Sequence, residues 1–230
     1  MILTPRLLKI AQMVNYAYAA DIGTDHAKLP VYLIENNICK KVIASDVADG
    51  PVSSCRKTVT QSGFENCIDI RKGDGLASLK KNETETIIIA GMGGDLISYI
   101  LEKDSQIAAA AKEIILQPMT HIIQLRKFLH DNCFAVIDEV LVREKEKIYT
   151  IIKVKKGDCQ YKSEMDYILS PVLLKNKDQL LSDLINRLIK KYKAELLGLK
   201  KASNPDDNAV KQIVFILENL EKIYETAKNN

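Results

Sequence analysis

Ala20-Asp21-Ile22-Gly23-Thr24-Asp25-His26-Ala27 is the stretch that decides the fold. The run Tyr18–Ile22 that leads into it is short and apolar, a glycine breaks it, and helical periodicity follows over Ala27–Asn37, so it reads as strand, turn and helix. In an open α/β sheet, ligands bind beyond the carboxyl ends of the strands where strand order switches, and the first strand-to-helix turn lies there. Gly23 lets the backbone approach a ligand closely.

Working outward, the same phrase recurs as far as Pro118. Strand-like runs fall at Lys41–Val47, Cys67–Arg71, Thr86–Ala90 and Glu113–Gln117, and helical stretches at Pro51–Ser62, Gly94–Glu102 and His121–Asn132. Alternation of this kind builds βαβ units and a parallel sheet. Upstream, Met1–Val14 mixes apolar residues with Arg6, Lys9 and Gln12, an amphipathic helix rather than a signal-peptide core. Downstream, Phe134–Arg143 and Lys147–Lys156 are joined only by Glu144-Lys145-Glu146, too short for a helix, and predict an antiparallel hairpin. Five parallel units closed by an edge hairpin form the layout of a Rossmann-like class I methyltransferase sheet.

From residue 160 the pattern becomes purely helical. Leu173, Leu180, Leu184, Leu188, Tyr192, Leu196 and Leu199 recur at helical spacing, Ser203–Asp207 makes a turn, and Val210, Ile213, Val214, Leu217, Leu220 and Tyr224 repeat the stripe. The expectation is a catalytic domain over 1–159 and a coiled-coil-like helical hairpin over 160–230, with Pro171 starting a single long helix to Lys201. Over Val172–Lys201, the bases Lys175, Lys177, Arg187, Lys190, Lys191, Lys193, Lys200 and Lys201 outweigh Asp178, Asp183 and Glu195, a net of +5. Such a helix would be roughly 45 Å long, enough to follow a nucleic-acid backbone, with a solvated coiled-coil face as the alternative.

Charge in the first turn narrows the ligand. Asp25 and Lys28 stand where a Gly-x-Gly-x-x-Gly loop would place its second and third glycines. A carboxylate there repels a pyrophosphate but suits a sulfonium and an α-amino group, which favours S-adenosylmethionine over NAD. Asp46 ends the second strand 23 positions after Gly23, where an acid accepts from ribose hydroxyls; a helix N-cap is the alternative. Asp74 and Gly75 either hold the adenine edge or simply make a turn. Gly91-Met92-Gly93-Gly94 concentrates glycine at a strand end, which costs conformational entropy and points to close approach of a ligand or base. Gln117-Pro118-Met119 ends the fifth strand at the same rim, where the Gln117 amide could contact substrate. His26 is expected to be the one histidine near the site, with His121 and His130 on a helix surface.

Composition excludes several classes. The 5 cysteines are scattered without ligand spacing, so neither a disulfide framework nor a metal site is expected, and a reduced cytoplasmic setting follows. No apolar run approaches ~18 residues, so no membrane span is expected. Net charge is +3, and with no Trp and 4 Phe a nucleic acid would be read by shape and phosphate.

Asp21–Pro30 (Asp-Ile-Gly-Thr-Asp-His-Ala-Lys-Leu-Pro), Ala90–Gly94 (Ala-Gly-Met-Gly-Gly) and Leu116–Met119 (Leu-Gln-Pro-Met), in that order and followed by a helical tail, resemble the TrmK-type bacterial tRNA (adenine-N1)-methyltransferases. That resemblance implies methylation of an adenosine in the tRNA D-arm region. It implies cofactor contacts at Asp21, Gly23, Asp46, Asp74, Gly75 and Ala90, and a target adenine near Asp25, His26, Gly91, Met92 and Gly93. With that substrate, the charge of the tail makes Lys190, Lys191 and Lys193 candidate tRNA contacts and its place at the rim makes Gln117 another, and the chain is expected to act as a monomer without a protein partner. The rivals are a methyltransferase for another RNA, DNA or small molecule, an NAD(P) oxidoreductase, and a silent RNA-binding relative. Asp25 and the hairpin weigh against the oxidoreductase, and the intact Asp21 and Asp46 against the silent relative.

Overall fold

The computed structural model describes residues 1–158, 161–201 and 206–228, which divide into two compact units, Met1–Tyr161 and Lys162–Asn230. The first unit runs α1 (Pro5–Met13), β1 (Tyr18–Ile22), α2 (Lys28–Glu35), β2 (Lys41–Asp46), α3 (Asp49–Ser62) and β3 (Ile68–Lys72). A 3-10 turn (Gly75–Ser78), β4 (Thr86–Met92), α4 (Gly94–Lys103), α5 (Ser105–Ala110), β5 (Glu113–Pro118), α6 (Ile122–Asp131), β6 (Phe134–Glu144) and β7 (Lys147–Lys156) complete it.

The seven strands form one sheet in the order β3-β2-β1-β4-β5-β7-β6. The first five are parallel, β7 pairs antiparallel with β5, and β6 with β7. From β1 the chain builds outward to β3 and then returns to lay β4 on β1's other side. The crevice between β1 and β4 is therefore the topological switch point.

Side-chain alternation along the strands feeds two apolar layers. Ala19, Val42, Ala44, Ile88, Ile115 and Ile151 pack with Ile10, Leu33 and Val59 on one face. Ala20, Ile43, Ile87, Ile89, Ile114, Leu116 and Ile152 pack with Ile97, Leu101 and Leu125 on the other. Burial on both faces is why β4 and β5 read as continuous apolar runs. One exception in β5 is Glu113, which is buried but accepts from Asn15 N (2.8 Å), Asn15 Nδ2 (3.0 Å) and Thr86 Oγ1 (2.9 Å).

Local chemistry moves several boundaries from their expected places. The first helix starts only at Pro5, with Thr4 as N-cap and proline at the first helical position, where its missing N–H costs nothing. The third helix starts at Asp49, two residues before Pro51. The short α5 was not foreseen.

The second unit corrects the single long helix expected over 172–201. It contains α7 (Glu164–Ile168), α8 (Pro171–Asn176), α9 (Leu181–Lys201) and α10 (Asp207–Lys228). Pro171 starts a helix, but that helix stops after six residues at Lys177, which is left-handed (φ 49°). Asp178 then accepts from Leu180 N at 2.8 Å to begin the next helix. The buried stripe of α9 is Leu181, Ile185, Ile189 and Tyr192, one residue beyond the expected Leu180, Leu184 and Leu188, which are only half-buried. In α10, Ile213, Leu217 and Leu220 are buried as expected, together with Ile216. Of the expected turn at Ser203–Asp207, residues 203–205 lie outside the described residues.

Candidate active site

Beyond the carboxyl ends of β1 and β4, two backbone turns touch. Ser45 O, near the end of β2, accepts from Gly23 N (2.8 Å) and Thr24 N (3.0 Å), which holds the first turn against the neighbouring strand. Gly23 has φ +76°, and a Cβ there would lie 2.1 Å from Met92 Cε. The left-handed backbone is what demands glycine, since the Met92 methyl sits at the end of a flexible side chain and could move aside. Met92 thus rests on the Gly23 α-carbon and joins the acidic turn to the glycine loop after β4.

The rim of this crevice is acidic. Asp21 is 7% exposed, and burial pushes its pKa up to about 6 against the opposing hydrogen bond from the Thr24 side chain. Cys55, on α3 beneath the turn, donates to Thr24 O at 3.3 Å. Its thiol is pushed up to about 11, chiefly by burial, against a hydrogen bond from the Ala27 backbone, with Asp21, Asp46 and Asp25 each raising it further. Three carboxylates therefore bear on one point, a field that attracts a cation and repels a pyrophosphate.

Asp46 answers its two readings in part. The N-cap of α3 is Ala48, not Asp46. Asp46 Oδ1 instead accepts from Ala48 N at 2.9 Å, while Oδ2 takes no hydrogen bond within the described residues. Asp74 precedes the 3-10 turn and pairs with Lys103 Nζ at 2.6 Å. Gly75 has φ +59°, and a Cβ there would lie 3.1 Å from Ile100 Cγ2. Asp25 and His26 are largely exposed, with Oδ2 and Nε2 3.2 Å apart.

The glycine loop begins with a bulge. The β4–β5 register shifts between Ala90 and Met92, and Gly91, at φ +79°, leaves the ladder. Its N–H is donated instead to Gln117 Oε1 at 3.1 Å. Gly94 packs against the loop after β5, where a Cβ would fall 2.4 Å from His121 O. His121 is consequently a neighbour of the site. It caps α6 in a left-handed conformation (φ 53°) and its Nδ1 meets Asp95 Oδ2, so His26 is not the one histidine near the crevice.

Gln117 is 0% exposed and its amide is fully engaged, so it reaches no substrate from this position. Lys190, Lys191 and Lys193 are exposed on α9, and Lys193 pairs with Glu221 of α10 at 2.8 Å. Arg6, which carried no site signal in the sequence, lies beside the glycine loop with Nη1 2.5 Å from Gln117 Oε1. Its partner is 111 positions away, a separation that no local pattern reveals.

Comparison with known proteins is consistent with this geometry. The family described as TrmK, tRNA (adenine(22)-N(1))-methyltransferase, matches residues 19–225. A Bacillus subtilis (strain 168) protein named tRNA (adenine(22)-N(1))-methyltransferase is 41% identical over 157 residues, covering 68% of this chain and 66% of its own length. The B. subtilis M1A22 tRNA methyltransferase TrmK structure superposes with a TM-score of 0.87 at 31% identity, over 97% of this chain and 99% of that one. The M. capricolum TrmK structure, in complex with S-adenosyl-homocysteine, gives 0.81 at 26% identity over 99% of both chains. With its strand order, its paired turns and a match spanning nearly its whole length, this chain belongs to the TrmK family of tRNA (adenine(22)-N(1))-methyltransferases.

Proposed function

We propose that the chain transfers the methyl group of S-adenosylmethionine to N1 of an adenosine in tRNA, the position-22 adenine of the family's name, within the D-arm region. The observation that carries the proposal is the meeting of the acidic turn at Gly23 with the glycine loop at Met92, at the strand-order switch. The residues fit the cofactor. Gly23 adds no side chain to a turn that Met92 covers, Asp46 Oδ2 is available to ribose hydroxyls, and Asp21 offers a carboxylate to an ammonium. Asp74, Gly75 and Ala90 complete the rim on either side.

S-adenosylmethionine supplies an electrophilic methyl on a sulfonium. Adenine N1 carries an in-plane lone pair, so attack requires no general base; the ring gains positive charge as the bond forms. Asp25, exposed at the mouth of the crevice, stabilises that charge, and His26 beside it orients the carboxylate. Gly91, Met92 and Gly93 shape the wall that holds the base in line, since rate here depends on alignment. The helical unit positions tRNA through Lys190, Lys191 and Lys193. The work belongs in the cytoplasm, on tRNA, by a single chain without a protein partner; among the described residues no helix is long and apolar enough to cross a membrane.

The test is incubation of the purified chain with S-adenosylmethionine and an unmodified tRNA transcript, followed by nucleoside mass spectrometry. Formation of 1-methyladenosine is expected. Methylation at another atom, or only of other substrates, overturns the proposal.

A further inference from the structure

Arg6 sits at the junction of four distant segments. From the first turn of α1 its Nη1 donates to Gln117 Oε1 at 2.5 Å and approaches Met119 Sδ at 3.4 Å, both at the end of β5. Its backbone N donates to Glu144 Oε2 of β6 at 3.2 Å, and its guanidinium lies 5.1 Å from the centre of the Tyr149 ring of β7. One carboxamide receives the outcome of these contacts.

Gln117 has a single acceptor oxygen and a donor nitrogen, and its neighbours fix which way they point. Oε1 faces two donors, Arg6 Nη1 and Gly91 N, while Nε2 donates to Pro118 O at 2.9 Å. Arginine has no acceptor, so its presence forbids the flipped amide. In that orientation alone Oε1 captures the Gly91 N–H released by the bulge. That capture sets the exit of Gly91-Met92-Gly93 toward Gly23.

We infer that Arg6 is a positioning residue for methyl transfer, acting through the Gln117 amide to hold the glycine loop in its bulged conformation. The inference rests on the methyltransferase function proposed above. Arg6 touches neither cofactor nor base in this role. Losing it leaves only Gly91 N and Pro118 O to hold the amide, which weakens the anchor of the Gly91 N–H and loosens the wall behind the target adenine. Displacement of about 1 Å at a reacting centre slows catalysis by roughly 100-fold.

The test compares the parent with Arg6→Ala, Arg6→Lys, Gln117→Met and the Arg6→Ala/Gln117→Met double variant. Each is assayed with tRNA and S-adenosylmethionine well below its melting temperature, with S-adenosylhomocysteine affinity measured separately. Arg6→Ala should lower kcat by about 10- to 100-fold, with KM for tRNA and cofactor affinity within about threefold of the parent. Arg6→Lys, with one compact ammonium in place of the fork, should recover part of the rate. The double variant should be no slower than the worse single variant. A raised KM for tRNA with kcat preserved, fully restored by lysine, would make Arg6 a phosphate contact and overturn the inference. Additive losses in the double variant overturn it too. A parent that methylates no tRNA refutes the proposed function instead, whereas an active parent matched by Arg6→Ala refutes only this inference. Should Arg6→Ala fail to fold, Arg6→Lys and Gln117→Met carry the same comparison.

Discussion

Replacing Asp21 by Asn should make the ligand-free protein more stable while weakening its hold on the cofactor. Asp21 is buried at the end of β1, and its pKa rises from an ordinary 3.8 to about 6 because burial disfavours the charge more than the Thr24 hydrogen bond restores it. For a carboxylate whose folded pKa lies above its unfolded one, the unfolded chain holds its proton less tightly. The group therefore opposes folding above the folded value, and the penalty vanishes below the unfolded one. A rise of this size corresponds to about 3 kcal/mol at pH 8. Asparagine keeps the shape and avoids the charge, so denaturant unfolding at pH 8 should show a gain of about 2–3 kcal/mol over the parent. The gain should fall to about half near pH 5 and disappear below pH 4. If Asp21 meets the ligand's ammonium as proposed, S-adenosylhomocysteine affinity, measured by calorimetry at pH 8, should drop at least tenfold. Stability unchanged at pH 8, or a gain as large at pH 4 as at pH 8, refutes the argument.

Asp46→Ala should weaken S-adenosylhomocysteine binding by about 30- to 150-fold through the loss of ~2–3 kcal/mol of ribose hydrogen bonding; unchanged affinity in calorimetry would leave Asp46 only its turn with Ala48. Asp25→Asn should lower kcat by ~10- to 1000-fold with tRNA binding nearly intact, as measured by single-turnover kinetics beside a filter-binding isotherm. A loss confined to cofactor affinity would reassign it. Lys190→Glu with Lys191→Glu should weaken tRNA binding and flatten its dependence on salt, without touching the Lys193–Glu221 pair. Parent-like binding at moderate salt would return these lysines to the solvated surface.

The sheet was legible because each strand carries its own evidence. Tyr18–Ile22 and Lys147–Lys156 fall where expected, and a three-residue link between long β-branched runs permits little but a hairpin. The placement of Asp21, Gly23, Asp46 and the glycine loop was legible because strand ends in such a sheet converge on one rim. The tail was less so: a leucine stripe at helical spacing continues through Lys177, and only the left-handed Lys177 with the Asp178 turn reveals the break. Removing 172–180 from the long helix shortens it to about 31 Å and lowers its charge to +4, from Arg187, Lys190, Lys191, Lys193, Lys200 and Lys201 against Asp183 and Glu195. Arg6 and the Asp95–His121 pair were invisible for a different reason. Their partners come from other elements, and such contacts exist only once the sheet has closed.

The place of β7 bears on how the chain is born. It is the last strand to be synthesised, yet it lies inside the sheet between β5 and β6. Until Lys147–Lys156 has left the ribosome, β5 presents Ile114, Ile115 and Leu116 on an open edge, with Pro118 only at its far end. A nascent chain paused before residue 147 therefore keeps the β5 edge unpaired. Completion of the hairpin closes that edge and, in the same stroke, brings Tyr149 to Arg6.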